Sequence, residues 1–173
     1  FYDEKIALLG EGLPDFALTS DVIVGFPGET EAEFQETYDF ISRLKFAELH
    51  VFPYSKRTGT PASRMPDQVP EDIKHDRVRR LIALNDQLAL EYAKAYENEV
   101  LEVIPEEPYN KDASTGQWVG YTDNYLKVRF PATPDMEGKL VRVKIVKAGY
   151  PYCDGQFVRV LDDHVDLNDL HSD

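Results

Sequence analysis

The sequence predicts an α/β segment followed by a small all-β barrel, and three observations predict it. Val22-Ile-Val24 is a continuous β-branched run that empties into Gly-Phe-Pro-Gly28 and then a capped helix. Glu48 to Phe52 is a second apolar strand one helix later, the spacing of βα units in a parallel sheet. After Asn98 the hydrophobic period changes to two, and five short strands follow.

In chain order, residues 2–11 read as an amphipathic helix with Ile6 and Leu9 inward. Gly12 and Pro14 lead into a strand at about 17–24, expected to be buried on both faces. Gly25 and Gly28 allow a tight turn and close approach to a ligand, and Pro27 stiffens it. Thr30 and Glu33 form a capping box for a helix over 31–44, with Phe34, Tyr38, Ile41 and Leu44 at helical spacing. Residues 53–70 read as a long loop, a length that is often functional. A long helix over 71–97 carries Ile73, Leu81, Leu84, Leu88 and Tyr92 on one face. The strands expected beyond it are Val100–Ile104, Trp118–Tyr121, Tyr125–Phe130, Leu140–Val146 and Gln156–Val160. The predicted organisation is therefore 1–70 as α/β, 71–97 as a linking helix, 98–161 as the barrel and 162–173 as a poorly ordered acidic tail.

Composition narrows the function classes. No apolar run approaches the roughly 18 residues of a membrane span, so no membrane partner is expected. One cysteine, Cys153, excludes an internal disulfide framework and fits a reducing cytoplasm. The net charge of −13 argues against nucleic acid at first sight. Its distribution weakens that objection, because the tail alone holds five aspartates and no base while 97–161 is close to neutral. The chain starts at Phe1 inside a helix, and two parallel strands do not complete a sheet; it is expected to be part of a larger protein.

The Gly-rich turn lacks the Gly-Lys-Ser/Thr ending of a phosphate loop and is not Gly-x-Gly-x-x-Gly. It reads either as a tight connection or as a ligand-contacting turn at a strand's carboxyl end, where α/β proteins bind ligands. Lys56, Arg57 and Arg64 make either an anion site or a solvated basic loop. The Lys74–Arg80 cluster reads as an exposed helix face balancing Asp72 and Asp76. In the barrel, Lys127 and Arg129 alternate with Leu126, Val128 and Phe130, and Arg142 and Lys144 with Val141, Val143 and Ile145. If these strands are neighbours, four cations share an outer face, with Tyr121, Tyr125 and Tyr150 as stacking platforms. The alternative is an ordinary barrel exterior. Cys153 and the four histidines show no metal-ligand spacing, and His50 reads equally as a hydrogen-bonded core residue. No catalytic arrangement is visible.

Ser20-Asp-Val-Ile-Val-Gly-Phe-Pro-Gly-Glu-Thr-Glu31 and Leu49-His-Val-Phe-Pro-Tyr-Ser-Lys-Arg-Thr-Gly-Thr-Pro-Ala62 closely resemble the radical S-adenosylmethionine methylthiotransferases. Val119-Gly-Tyr-Thr-Asp-Asn-Tyr-Leu-Lys-Val128 and Gly138-Lys-Leu-Val-Arg-Val-Lys-Ile145 look like their TRAM domain, a small RNA-binding barrel. The resemblance implies the carboxyl-terminal part of a radical S-adenosylmethionine partial (βα) barrel, followed by an antiparallel five-stranded TRAM barrel. Leu-His-Val-Phe-Pro-Tyr-Ser looks most like the branch that adds a 2-methylthio group to N6-threonylcarbamoyladenosine at position 37 of tRNA. The isopentenyladenosine-tRNA branch, the ribosomal-protein branch and a stand-alone RNA-binding TRAM protein are the rivals.

The resemblance further implies that Ile23, Gly25, Phe52, Tyr54 and Ser55 face S-adenosylmethionine, an apolar wall taking the purine and backbone groups reading its edge. Asp21 stands where the family's motif has its first glycine. Tyr121, Lys127, Arg129, Arg142 and Lys144 would bind RNA, the tRNA anticodon loop being the partner. The complete enzyme would carry two 4Fe-4S clusters and need a reductant. The family's Cys-x-x-x-Cys-x-x-Cys loop is absent here, and one cysteine cannot ligate such clusters. The fragment alone is expected to be inactive.

Overall fold

The computed structural model describes residues 2–13 and 16–161, which form two compact units divided between Ala95 and Tyr96. The expected acidic tail at 162–173 lies outside the described residues. No helix among the described residues is long and apolar enough to cross a membrane.

The first unit contains α1 (Tyr2–Gly12), β1 (Thr19–Val24), α2 (Glu31–Leu44), β2 (Glu48–Pro53) and α3 (Glu71–Lys94). β1 and β2 pair in parallel, with Asp21 beside His50 and Ile23 beside Phe52. α2 begins where the capping box places it: Thr30 accepts from the Glu33 amide, and Glu33 reaches back to the Thr30 amide at 2.8 Å. Val24, Phe34, Ile41, Phe46 and Leu49 pack with Leu81, Leu84 and Leu88. α3 therefore belongs to the core of this unit and is not a linker. Buried Asn85 on α3 accepts the Leu49 amide at 2.8 Å, satisfying a donor that β1 does not reach.

β1 is covered on one face only. Val22 and Val24 turn toward the helices, while Ile23 is 60% exposed and Phe52 beside it 50% exposed. The expectation of burial on both faces fails because the described helices cover only the Val24–Leu49 side. His50 likewise lies on the open face and not in the core. Leu9 and Ile73, expected inward, are exposed; Ile73 sits beside the buried stripe of α3 that begins at Lys74.

The second unit is a closed five-stranded barrel of β3 (Val100–Pro108), β4 (Gln117–Thr122), β5 (Lys127–Pro131), β6 (Val141–Lys147) and β7 (Cys153–Val160), ordered β3-β4-β5-β7-β6. Val103, Trp118, Val128, Phe130, Val141, Val143 and Ile145 are buried, as period-two alternation requires. Closure adds one departure: β5 and β7 pair in parallel, so the barrel is mixed and not wholly antiparallel. Gly155 permits the closure, since a Cβ there would lie 2.4 Å from Val143 Cγ1 and 2.7 Å from Val128 Cγ1. Tyr125 sits in the β4–β5 turn at φ 65° and is not a strand residue.

Candidate functional site

In the first unit the sequence singled out the ends of β1 and β2, and α3 fastens both. Gly25 adopts φ 74°, and a Cβ on it would lie 2.4 Å from Lys74 Cγ, so backbone conformation and space both call for glycine. The Gly25 amide donates to the Glu29 carboxylate. Arg77 holds the same carboxylate at 2.6 Å and also donates to the Glu29 carbonyl at 3.2 Å. Its remaining donors reach Glu31 at 3.4 Å. Lys74 Nζ donates to the Tyr54 carbonyl at 3.2 Å and to Glu71 at 2.7 Å. The Tyr54 amide continues the parallel ladder to Val24 at 2.7 Å, and the Gly28 amide donates to Asp67 at 2.9 Å.

This corrects the reading of the basic cluster. Lys74 and Arg77 are each only 3% exposed, and they hold the strand ends in place. Their spacing carried the signal: 74, 77, 81, 84 and 88 form one three-four stripe, with the cations extending the leucines. Arg79 and Arg80 remain outside that stripe, and Arg80 bonds Glu31 at 2.6 Å. That contact holds the Glu31 carboxyl below the usual range, against a smaller opposing effect of burial.

The clamp also changes what the strand ends offer a ligand. The Gly25 N–H and the Tyr54 C=O, expected to read a purine edge, are spent on Glu29 and Lys74. What faces outward is apolar: Ile23, Phe26 and Phe52, with Phe26 edge-on to Tyr54 at 5.3 Å between ring centroids. This surface fits the flat face of a purine. Ser55 is exposed, and the Tyr54 hydroxyl is buried with no hydrogen-bond partner among the described residues. The residues do not fit an iron–sulfur cluster. The sole cysteine, Cys153, is buried in the barrel near the Gly149 carbonyl, and burial pushes its thiol pKa up. Lys56, Arg57 and Arg64 are exposed on the loop.

In the second unit the four cations do not share one face, because β7 lies between β5 and β6. On the β4–β5 side, Lys127 Nζ lies 5.2 Å from the Tyr121 ring centre and 5.0 Å from that of Tyr152. Burial would lower the Lys127 pKa, but Tyr121, Tyr152 and Glu107 outweigh it and leave it raised. Arg129 is ion-paired to Asp154 and stacks over Tyr109 at 4.8 Å. Tyr109 meets Tyr152 edge-on at 5.6 Å, which joins both cations in one aromatic layer. On the β6 side, Arg142 pairs with Glu102 at 3.3 Å, and Lys144 makes no ion pair among the described residues. Arg159 lies directly across from Arg142, a like-charge juxtaposition that an anion would relieve. Tyr109, Tyr152 and Arg159 were missed from sequence. The first two lie outside the expected strands, and Arg159 meets Arg142 only through the bulge at Arg142/Val143.

The fold and these two surfaces define a protein with an α/β unit and a TRAM barrel; residues 94–158 match the TRAM domain family. The chain is 64% identical over 165 residues to the threonylcarbamoyladenosine tRNA methylthiotransferase MtaB of Bacillus subtilis (strain 168), covering 95% of this chain and 37% of that protein. It is 39% identical over 160 residues to the tRNA-2-methylthio-N(6)-dimethylallyladenosine synthase of Aquifex aeolicus (strain VF5), covering 92% of this chain and 35% of the relative. The protein of the same name from Acidothermus cellulolyticus (strain ATCC 43068 / DSM 8971 / 11B) is 44% identical over 153 residues, 88% of this chain and 31% of the relative. Over most of its own length the chain matches these methylthiotransferases, whose motifs it carries, and it spans about a third of the length of these curated relatives.

Proposed function

We propose that this chain is part of a cytoplasmic tRNA methylthiotransferase acting on N6-threonylcarbamoyladenosine in the anticodon loop. The observation that carries the reading is the 64% identity to the threonylcarbamoyladenosine enzyme across both units, against 39% and 44% to the two dimethylallyladenosine relatives. Ile23, Phe26 and Phe52 would form one wall of the S-adenosylmethionine pocket, held at a set height by Lys74 and Arg77. The bound cofactor supplies the radical chemistry. The two clusters of the full-length enzyme would need thiolate ligands beyond the single cysteine of this chain, and an external reductant. In the barrel, Arg142, Lys144 and Arg159 would hold RNA phosphates.

Mass spectrometry of tRNA nucleosides from a strain lacking the complete gene tests this. The 2-methylthio derivative should vanish while N6-threonylcarbamoyladenosine accumulates. Loss of the methylthio group from isopentenyladenosine instead, or an unchanged profile, overturns the assignment.

A further inference from the structure

A depression of about 340 Å³ on the barrel is lined by Tyr109, Gln117, Arg129, Pro131, Asp154 and Gly155. We propose that it holds one unpaired RNA base carrying an exocyclic amino group: adenine, cytosine or guanine. The proposal rests on the RNA-docking reading and gives it a base-reading subsite distinct from the phosphate face.

Three features carry it. The Tyr109 ring and the Arg129 guanidinium form a layer 4.8 Å apart, and ring and guanidinium planes are the surfaces on which single-stranded bases stack. Arg129 is fixed there: its Nε and Nη2 both donate to Asp154 Oδ1, so it cannot follow a passing phosphate. Asp154 Oδ2 and the Gln117 side-chain amide have no partner among the described residues and lie along the same depression.

The charge decides the ligand. Arg129 and Asp154 form a neutral pair, so a phosphate entering here gains less from this guanidinium than from an unpaired cation, and it faces the carboxylate as well. A base amino group instead donates to the free carboxylate oxygen, as cytosine N4 does to acidic side chains in grooves. Uracil has no exocyclic amino group; its one Watson–Crick donor is the ring N3–H, flanked by two carbonyl oxygens that the carboxylate repels. The like-charged pair Arg142 and Arg159, with Lys144, lies toward the β6 side of β7 and suits the backbone.

The test is fluorescence anisotropy of the full-length protein with short labelled oligomers of A, C or U across a salt series. Binding to A and C about tenfold tighter than to U is expected, with Asp154→Asn removing the preference at unchanged salt slope. Tyr109→Leu should weaken all three about tenfold, and Tyr109→Phe should restore binding, which excludes misfolding as the cause. Equal affinity for the three oligomers, or an Asp154→Asn variant with the preference intact, overturns the subsite while salt-sensitive binding leaves RNA docking standing. No binding by the unaltered protein overturns both.

Discussion

Lys74 and Arg77 in the first unit and Arg142 and Lys144 in the barrel are the same two residue types put to opposite uses. The helix cations are sealed from water, with every head group committed to a carboxylate or carbonyl at the strand ends. The barrel cations face solvent, one holding a partly exposed partner and one holding none among the described residues. Buried, a cation fixes geometry and is costly to remove; exposed, it adds little to stability and stays available to an anion. Burial, and not residue type, separates a cation that fixes the scaffold from one left available to an anion.

The comparison can be tested because the two units report separately. The single tryptophan, Trp118, is buried in the barrel, whereas α1, α2 and α3 all lie in the first unit. Tryptophan fluorescence therefore follows the barrel, and far-ultraviolet helix signal follows the first unit. The largest expected effect is from Arg77→Met, which leaves the largely buried Glu29 carboxylate without its partner. It should cost about 3–5 kcal/mol in urea denaturation of the helix signal and leave the tryptophan transition in place. A cost no larger than that of Arg142→Gln breaks the comparison.

Gly25→Ala should cost about 1–2 kcal/mol for its positive φ, with a further penalty from Lys74. The double variant with Lys74→Ala should be less than additive, since shortening residue 74 removes the clash but not the backbone strain. Strict additivity in urea melts would show that the lysine stem does not press on the turn. For Lys144→Gln a stability change within about 0.5 kcal/mol is expected. Its salt slope for RNA should fall by about one. An unchanged slope removes Lys144 from the phosphate face.

The smallest effect is acid sensitivity. Arg80 holds the Glu31 pKa below its unfolded value, so the contact stabilises the folded first unit above the ordinary glutamate range. That contribution is lost as pH falls through the folded value. Glu31→Gln should flatten the acid limb of the helix-signal stability curve and leave the barrel's curve unchanged.

Local chemistry was legible in the sequence. The capping box, the parallel βα spacing and the inward residues of β5 and β6 all followed from residue type and period, because each depends on neighbours a few positions away. What was not legible depended on distant chain. Ile23 reads as a core residue until the coverage of its sheet is known. Lys74 and Arg77 are legible in spacing but not in charge, because the strand-end groups they hold are distant in sequence: the Tyr54 carbonyl lies 20 residues from Lys74, and Glu29 and Glu31 lie 48 and 46 from Arg77. The four barrel cations were placed on one face because strand order was unknown, and the parallel entry of β7 beside β5 separates them.

Closure of that barrel has a consequence for amide hydrogen exchange. Every strand of β3-β4-β5-β7-β6 has a neighbour on both sides, so its ladder amides become solvent-accessible only when the ring opens as a whole. β1 and β2 pair only with each other among the described residues, and apart from donors such as Leu49 their outward amides have no strand to protect them. In deuterium the barrel should label as one slow block and β1 and β2 as alternating fast and slow sites. Exchange at Ile23 and Phe52 would then report whatever comes to cover them.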